Sequence, residues 1–110
     1  MPVASRDQID PQYQWDLSNI FASDDAFLAA LDAAKAYPAR IAALKGTVAS
    51  SAQGLLAFLK LDDEVDVALG KLANYAQRKS DEDTRVARYQ DFSSQVTTLC
   101  VEIAGAGSWF

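Results

Sequence analysis

From Ser23 onward, apolar side chains recur at steps of three and four residues, the spacing of one face of an α-helix. The first stripe is Phe27, Leu31, Ala34, Ile41 and Leu44. Ser23 is placed to cap it, Asp24 and Asp25 fall where the helix dipole favours anions, and Gly46 stops it after Lys45. Pro38 lies inside this stripe; it lacks an N–H and crowds the preceding turn, which predicts a kink or break between Ala34 and Pro38. Ser50 and Gln53 have capping-box spacing and open a second helix with Leu55, Leu56, Phe58, Leu59 and Leu61. A third helix is expected to begin at Asp62 or Asp63, with Val65, Ala68, Leu69, Leu72, Tyr75 and Ala76 on one face. The run KSDEDT (79–84) interrupts that pattern and offers acids to the first turn of a fourth helix. There the stripe is cleanest: Val86, Tyr89, Phe92, Val96, Leu99, Cys100 and Ile103, steps that suit a bundle seam. No segment alternates at period two for long enough to make a strand. The pattern predicts an all-α fold, about a four-helix antiparallel bundle or hairpin array over residues 23–110, preceded by an irregular arm over 1–22.

That arm carries QYQWDLSNIFASDDAF (12–27), in which Tyr13, Trp15, Leu17, Ile20, Phe21 and Phe27 follow no regular period. A turn at Asp16 to Ser18 is expected to start a short helical turn. So many large apolar groups on an irregular segment make sense only if a body covers them. At the other end, Trp109 and Phe110 close an apolar pattern with no cap or polar tail, so the chain is expected to be cut from a longer protein. Surfaces uncovered by such a cut, around Trp15 and Phe21 and at Trp109 and Phe110, would favour a homodimer.

Composition narrows the function. A net charge of −5 over 110 residues argues against nucleic acid and against an anionic membrane surface. No apolar run reads as a targeting signal or a membrane span. Cys100 is the single cysteine, so no internal disulfide forms and a cytoplasmic protein is expected. Histidine is absent altogether, which removes a histidine base, a catalytic triad and the common zinc sites.

The remaining candidates for chemistry each have a plainer structural account. Asp62, Asp63, Glu64 and Asp66, and Asp81, Glu82 and Asp83, lack the spacing of a calcium loop and are expected to serve as helix caps and dipole partners. Cys100 lies on the apolar face of the fourth helix with no base beside it and is expected to be a buried thiol. Ser50 and Ser51 begin a helix, and Ser93 and Ser94 lie within one. Arg78, Lys79, Arg85 and Arg88 alternate with acids and predict a salt-bridged, solvated face. Tyr75, Tyr89, Phe92, Trp15 and Phe21 could form a recognition surface, but aromatics at helical spacing more often build core. No catalytic, cofactor-binding or metal residue is assigned.

Three segments in order, YQWDLSNIFASDDAF, LKGTVASSAQGLLAFLKL and LANYAQRKSDEDTRVARYQ, resemble the N-terminal region of oligoendopeptidase F. The resemblance runs from about Tyr13 to Phe110. That family comprises thimet-type zinc metallopeptidases that cleave short peptides but not folded proteins. The resemblance implies a helical region preceding a catalytic domain, the two enclosing a deep channel. The family's catalytic signature, HExxH, has no position here to receive it, so no zinc ligand is transferred and zinc is expected only in the catalytic domain of a longer parent. The expected partners are that domain and, in the parent, short peptides. The competing expectation is a free-standing helical interaction module that binds a partner between its helices.

Overall fold

The structure, a computed structural model, describes residues 4–13 and 16–110, and Trp15 lies outside them. Four α-helices follow one another: α1 (Asp24–Ala34), α2 (Tyr37–Ala43), α3 (Ala52–Glu82) and α4 (Ala87–Ala106). There is no strand among the described residues, and the fold is all-α.

α1 begins as its sequence predicts. Ser23 is extended, and its Oγ accepts a hydrogen bond from the Ala26 N–H at 3.2 Å. Phe27, Leu31 and Ala34 are buried along it. The stripe then breaks at Lys35 and Ala36, with Pro38 in the first turn of α2, where a missing N–H costs nothing. α2 ends in a series of turns in which Gly46 takes φ +86°, a conformation that favours glycine.

α3 departs from the sequence reading. One continuous helix of 31 residues replaces the two expected, and neither Asp62 nor Asp63 caps anything. Its buried residues, among them Phe58, Leu61, Val65, Leu72 and Tyr75, keep a single helical phase through the acidic run. An aspartate inside a helix costs less than about 1 kcal/mol, which is small beside the burial of that stripe. The start also shifts by one residue, since Ser51 rather than Ser50 caps the helix, accepting from the Gly54 N–H at 3.0 Å. A second correction concerns Asp81, Glu82 and Asp83, which end α3 instead of opening α4. Acids there oppose the helix dipole, and basic neighbours offset them: Arg78 lies 3.3 Å from Asp81 and Lys79 3.9 Å from Glu82. The Arg85 side chain and backbone N–H both donate to Asp83, which holds its carboxyl down to about 2.

α3 and α4 form a hairpin through residues 83–86, and α1 and α2 lie along it, giving a body of 64 × 22 × 18 Å. The N-terminus of α1 meets the far end of α3 at Tyr75, whereas Arg40 of α2 pairs with Glu64 at 3.0 Å. The α1–α2 segment therefore runs antiparallel to α3. Phe92, Val96, Leu99 and Ile103 of α4 are buried in the shared core. Cys100 is only half-buried, because it sits at the edge of that seam. The arm does find cover: Leu17 is buried, and Ile20 and Phe21 pack against the core, while the Leu17 carbonyl accepts from the Ile20 N–H at 3.0 Å in a short turn. Tyr13 stays 75% exposed.

Candidate functional site

The polar centre of the molecule is Asp24, in the first turn of α1. Its Oδ1 accepts from the Tyr75 hydroxyl at 2.6 Å and its Oδ2 from the Tyr89 hydroxyl at 3.0 Å, while Arg88 Nη2 lies 3.6 Å from Oδ2. One carboxylate thus joins α1 to α3 and to α4. Burial, and then the hydrogen bond to Asp24, push both phenols above their ordinary range. Lys79 Nζ stands 5.6 Å from both tyrosine ring centroids, a cation–π position shared between α3 and α4.

Below this centre the aromatic rings close the core. Phe27 stacks on Phe92 at 4.6 Å and on Tyr75 at 5.2 Å, and Phe21 from the arm meets Tyr75 edge-on at 5.4 Å. Of the aromatics considered as a recognition surface, Tyr75 and Phe92 are therefore core, while Tyr89 and Phe21 are half-buried at its margin. A groove of about 680 Å³ opens over them, edged by Asp16, Phe21, Asp24, Lys79 and Tyr89. Chemically the arrangement is a pin. Both phenols remain protonated donors and the carboxylate is occupied, while the Ser23 hydroxyl at the groove's edge caps α1 and Ser18 is bonded to Asp16.

The other end of the bundle is apolar. Phe58 stacks on Phe110 at 4.3 Å and meets Trp109 edge-on at 5.3 Å. Trp109 is half-buried, whereas Phe110 is 65% exposed.

Each basic residue assigned to a salt-bridged face is paired, Arg78 with Asp81, Lys79 with Glu82, Arg85 with Asp83 and Arg88 with Asp24. Asp62, Asp63 and Asp66 are exposed in the middle of α3, so capping does not explain them. Among the described residues no three His, Cys, Asp or Glu side chains are grouped to hold a metal ion. No described helix is long and apolar enough to cross a membrane. The role of Asp24 escaped the sequence pattern, which marks it only as a helix-start anion.

No family model matches the chain, and no solved structure does. Curated relatives do. Group B oligopeptidase PepB of Streptococcus agalactiae is 31% identical over 96% of this chain and 18% of its own length. The chromosomal oligoendopeptidase F of Lactococcus lactis subsp. cremoris is 32% identical over 98% of the chain and 18% of its length. The chain is related to oligoendopeptidase F. Oligopeptidase PepF of Bacillus subtilis agrees, at 32% identity over 97% of the chain and 16% of its length. The chain therefore spans about a sixth of the curated relatives it matches. The matched stretch, nearly the whole of this chain, contains no histidine.

Proposed function

We propose that this chain is the non-catalytic N-terminal helical domain of an oligoendopeptidase F-like zinc peptidase, forming one wall of a channel that admits short, unfolded peptides. The observation that carries this reading is the match to oligopeptidases over 96–98% of the chain but only 16–18% of their length, by a segment with no histidine. Such a segment contributes to peptide hydrolysis by excluding bulky substrates and orienting small ones. A wall needs rigidity, and the long α3, with α1 pinned to it through Asp24, is built for that. Zinc does not fit this chain: histidine is absent, the one thiol is half-buried on α4, and no acid cluster among the described residues is arranged for a metal. The natural partners are then the rest of the peptidase and its peptide substrates, and a lone cysteine suits a cytoplasmic setting.

The test is to read the coding sequence beyond Phe110. An HExxH motif in the same frame, within roughly the length that the relatives have beyond the matched part, is the expected result. A stop codon directly after Phe110 would overturn the reading and leave a free-standing helical interaction module.

A further inference from the structure

The first turns of α3 point leucines outward. Leu55, Leu56 and Leu59 are 39%, 51% and 44% exposed, although Phe58 and Leu61 beside them are buried. A single exposed leucine is ordinary, but three within residues 55–59 of one helix, with Leu59 at the edge of a groove, are not. Leu55 and Leu59 lie one turn apart, and the same spacing continues to Asp62 and Asp66, with Asp63 alongside. Apolar and acidic side chains thus share one line along α3. Leu59 and Asp62 also edge a groove of about 260 Å³, walled by Phe58, Ile103, Ala104 and Phe110. None of the ion pairs among the described residues involves Asp62, Asp63 or Asp66, whereas neighbouring Glu64 is paired with Arg40. Asp62 and Asp66, one turn apart on the helix, repel each other, and no ion pair among the described residues offsets them.

The geometry points to a docking face for a basic amphipathic helix of a protein partner, with aliphatic side chains entering the groove at Leu59 and Lys or Arg side chains meeting Asp62, Asp63 and Asp66 one turn further on. Charge complementarity selects this occupant. A second copy of the chain would set the same aspartates against each other, and an anionic bilayer would be repelled. Leu59 and the aspartates belong to this chain, so the docking face does not rest on the peptidase reading.

A fluorescein-labelled Leu/Lys amphipathic peptide of about five helical turns serves as the probe, with a Leu/Glu peptide of equal apolar content beside it. Anisotropy should show the Leu/Lys peptide binding the intact chain, with affinity falling as salt rises. The triple variant Asp62→Asn, Asp63→Asn, Asp66→Asn should weaken binding about tenfold or more. Asp25→Asn, Asp91→Asn, Glu102→Gln, with the same loss of charge elsewhere, should leave it nearly unchanged. Leu59→Ser should weaken binding as well. Circular dichroism of each variant establishes that the helices persist. The proposal is overturned by no binding of the Leu/Lys peptide, by equal binding of the Leu/Glu peptide, or by equal weakening in both triple variants. A dimer of the chain that Leu59→Ser dissolves would assign the face to a second copy and likewise overturn it.

Discussion

Gly54 and Gly70 both lie in α3, and the structure predicts opposite outcomes for the same substitution. In an isolated helix, Gly→Ala is favourable by about 1 kcal/mol. A Cβ at Gly70 meets nothing within 4 Å, so Gly70→Ala should realise that gain. A Cβ at Gly54 would stand 2.1 Å from the Thr47 carbonyl oxygen and 2.9 Å from its carbon, against an ordinary contact of about 3.5 Å. The carbonyl cannot easily retreat. It accepts from the Ser50 hydroxyl at 2.7 Å, and the Thr47 N–H is tied to the Leu44 carbonyl at 3.0 Å. Relief must come from displacing the turn or from lifting the first turn of α3 off its Ser51 cap, worth about 1 kcal/mol. Overpacking costs about 1–3 kcal/mol, and an overlap this deep with backbone lies in the upper part of that range, about 2–3 kcal/mol, so Gly54→Ala should lose about 1–2 kcal/mol net once the propensity gain is subtracted. At about 4 °C per kcal/mol for a chain of this size, Tm falls by about 4–8 °C in Gly54→Ala and rises by about 4 °C in Gly70→Ala. Thermal melts followed at 222 nm measure both. A Gly54→Ala variant as stable as the parent would refute the close approach of the 44–51 turn to α3.

Tyr75→Phe should cost about 1–2 kcal/mol by removing a donor to the Asp24 carboxylate, measured by urea unfolding at neutral pH. Because both phenols titrate above their ordinary range, their contribution is fully present below about pH 10 and lost as pH rises beyond it; the alkaline fall in stability should be smaller in Tyr75→Phe. Leu99, 2% exposed, should cost about 2–5 kcal/mol as Leu99→Ala, while half-buried Cys100 should label more slowly in the native chain than in urea, and equal labelling rates would place α4 differently. Neither zinc nor calcium should raise Tm, and the chain alone should cleave a quenched-fluorescent peptide no faster than buffer; a stoichiometric rise with zinc would contradict the metal-free assignment.

Helix type, most of the helix starts and stops, and the kinship with oligoendopeptidase F were legible from residues alone, because each is set locally or by order along the chain. Ser23 caps wherever its neighbours are helical, Pro38 breaks whatever helix contains it, and the phase of Phe92, Val96, Leu99 and Ile103 marks one face without knowledge of what covers it. The absence of histidine bounds the chemistry in the same way, by composition. The misread acids show where local reasoning stops. Asp62 and Asp63 look like caps, yet a capping hydrogen bond is worth about 1 kcal/mol and competes with the burial of an entire stripe, so only packing against α4 and the α1–α2 segment decides that α3 runs through them. Likewise, the meeting of Asp24 with Tyr75 and Tyr89 spans 51 and 65 residues of sequence, and no period along the chain records it. The hairpin of α3 and α4 brings the two hydroxyls together, and the antiparallel course of α1 delivers the carboxylate between them. Tertiary structure alone could place that pin, because its partners are neighbours only after the chain has folded.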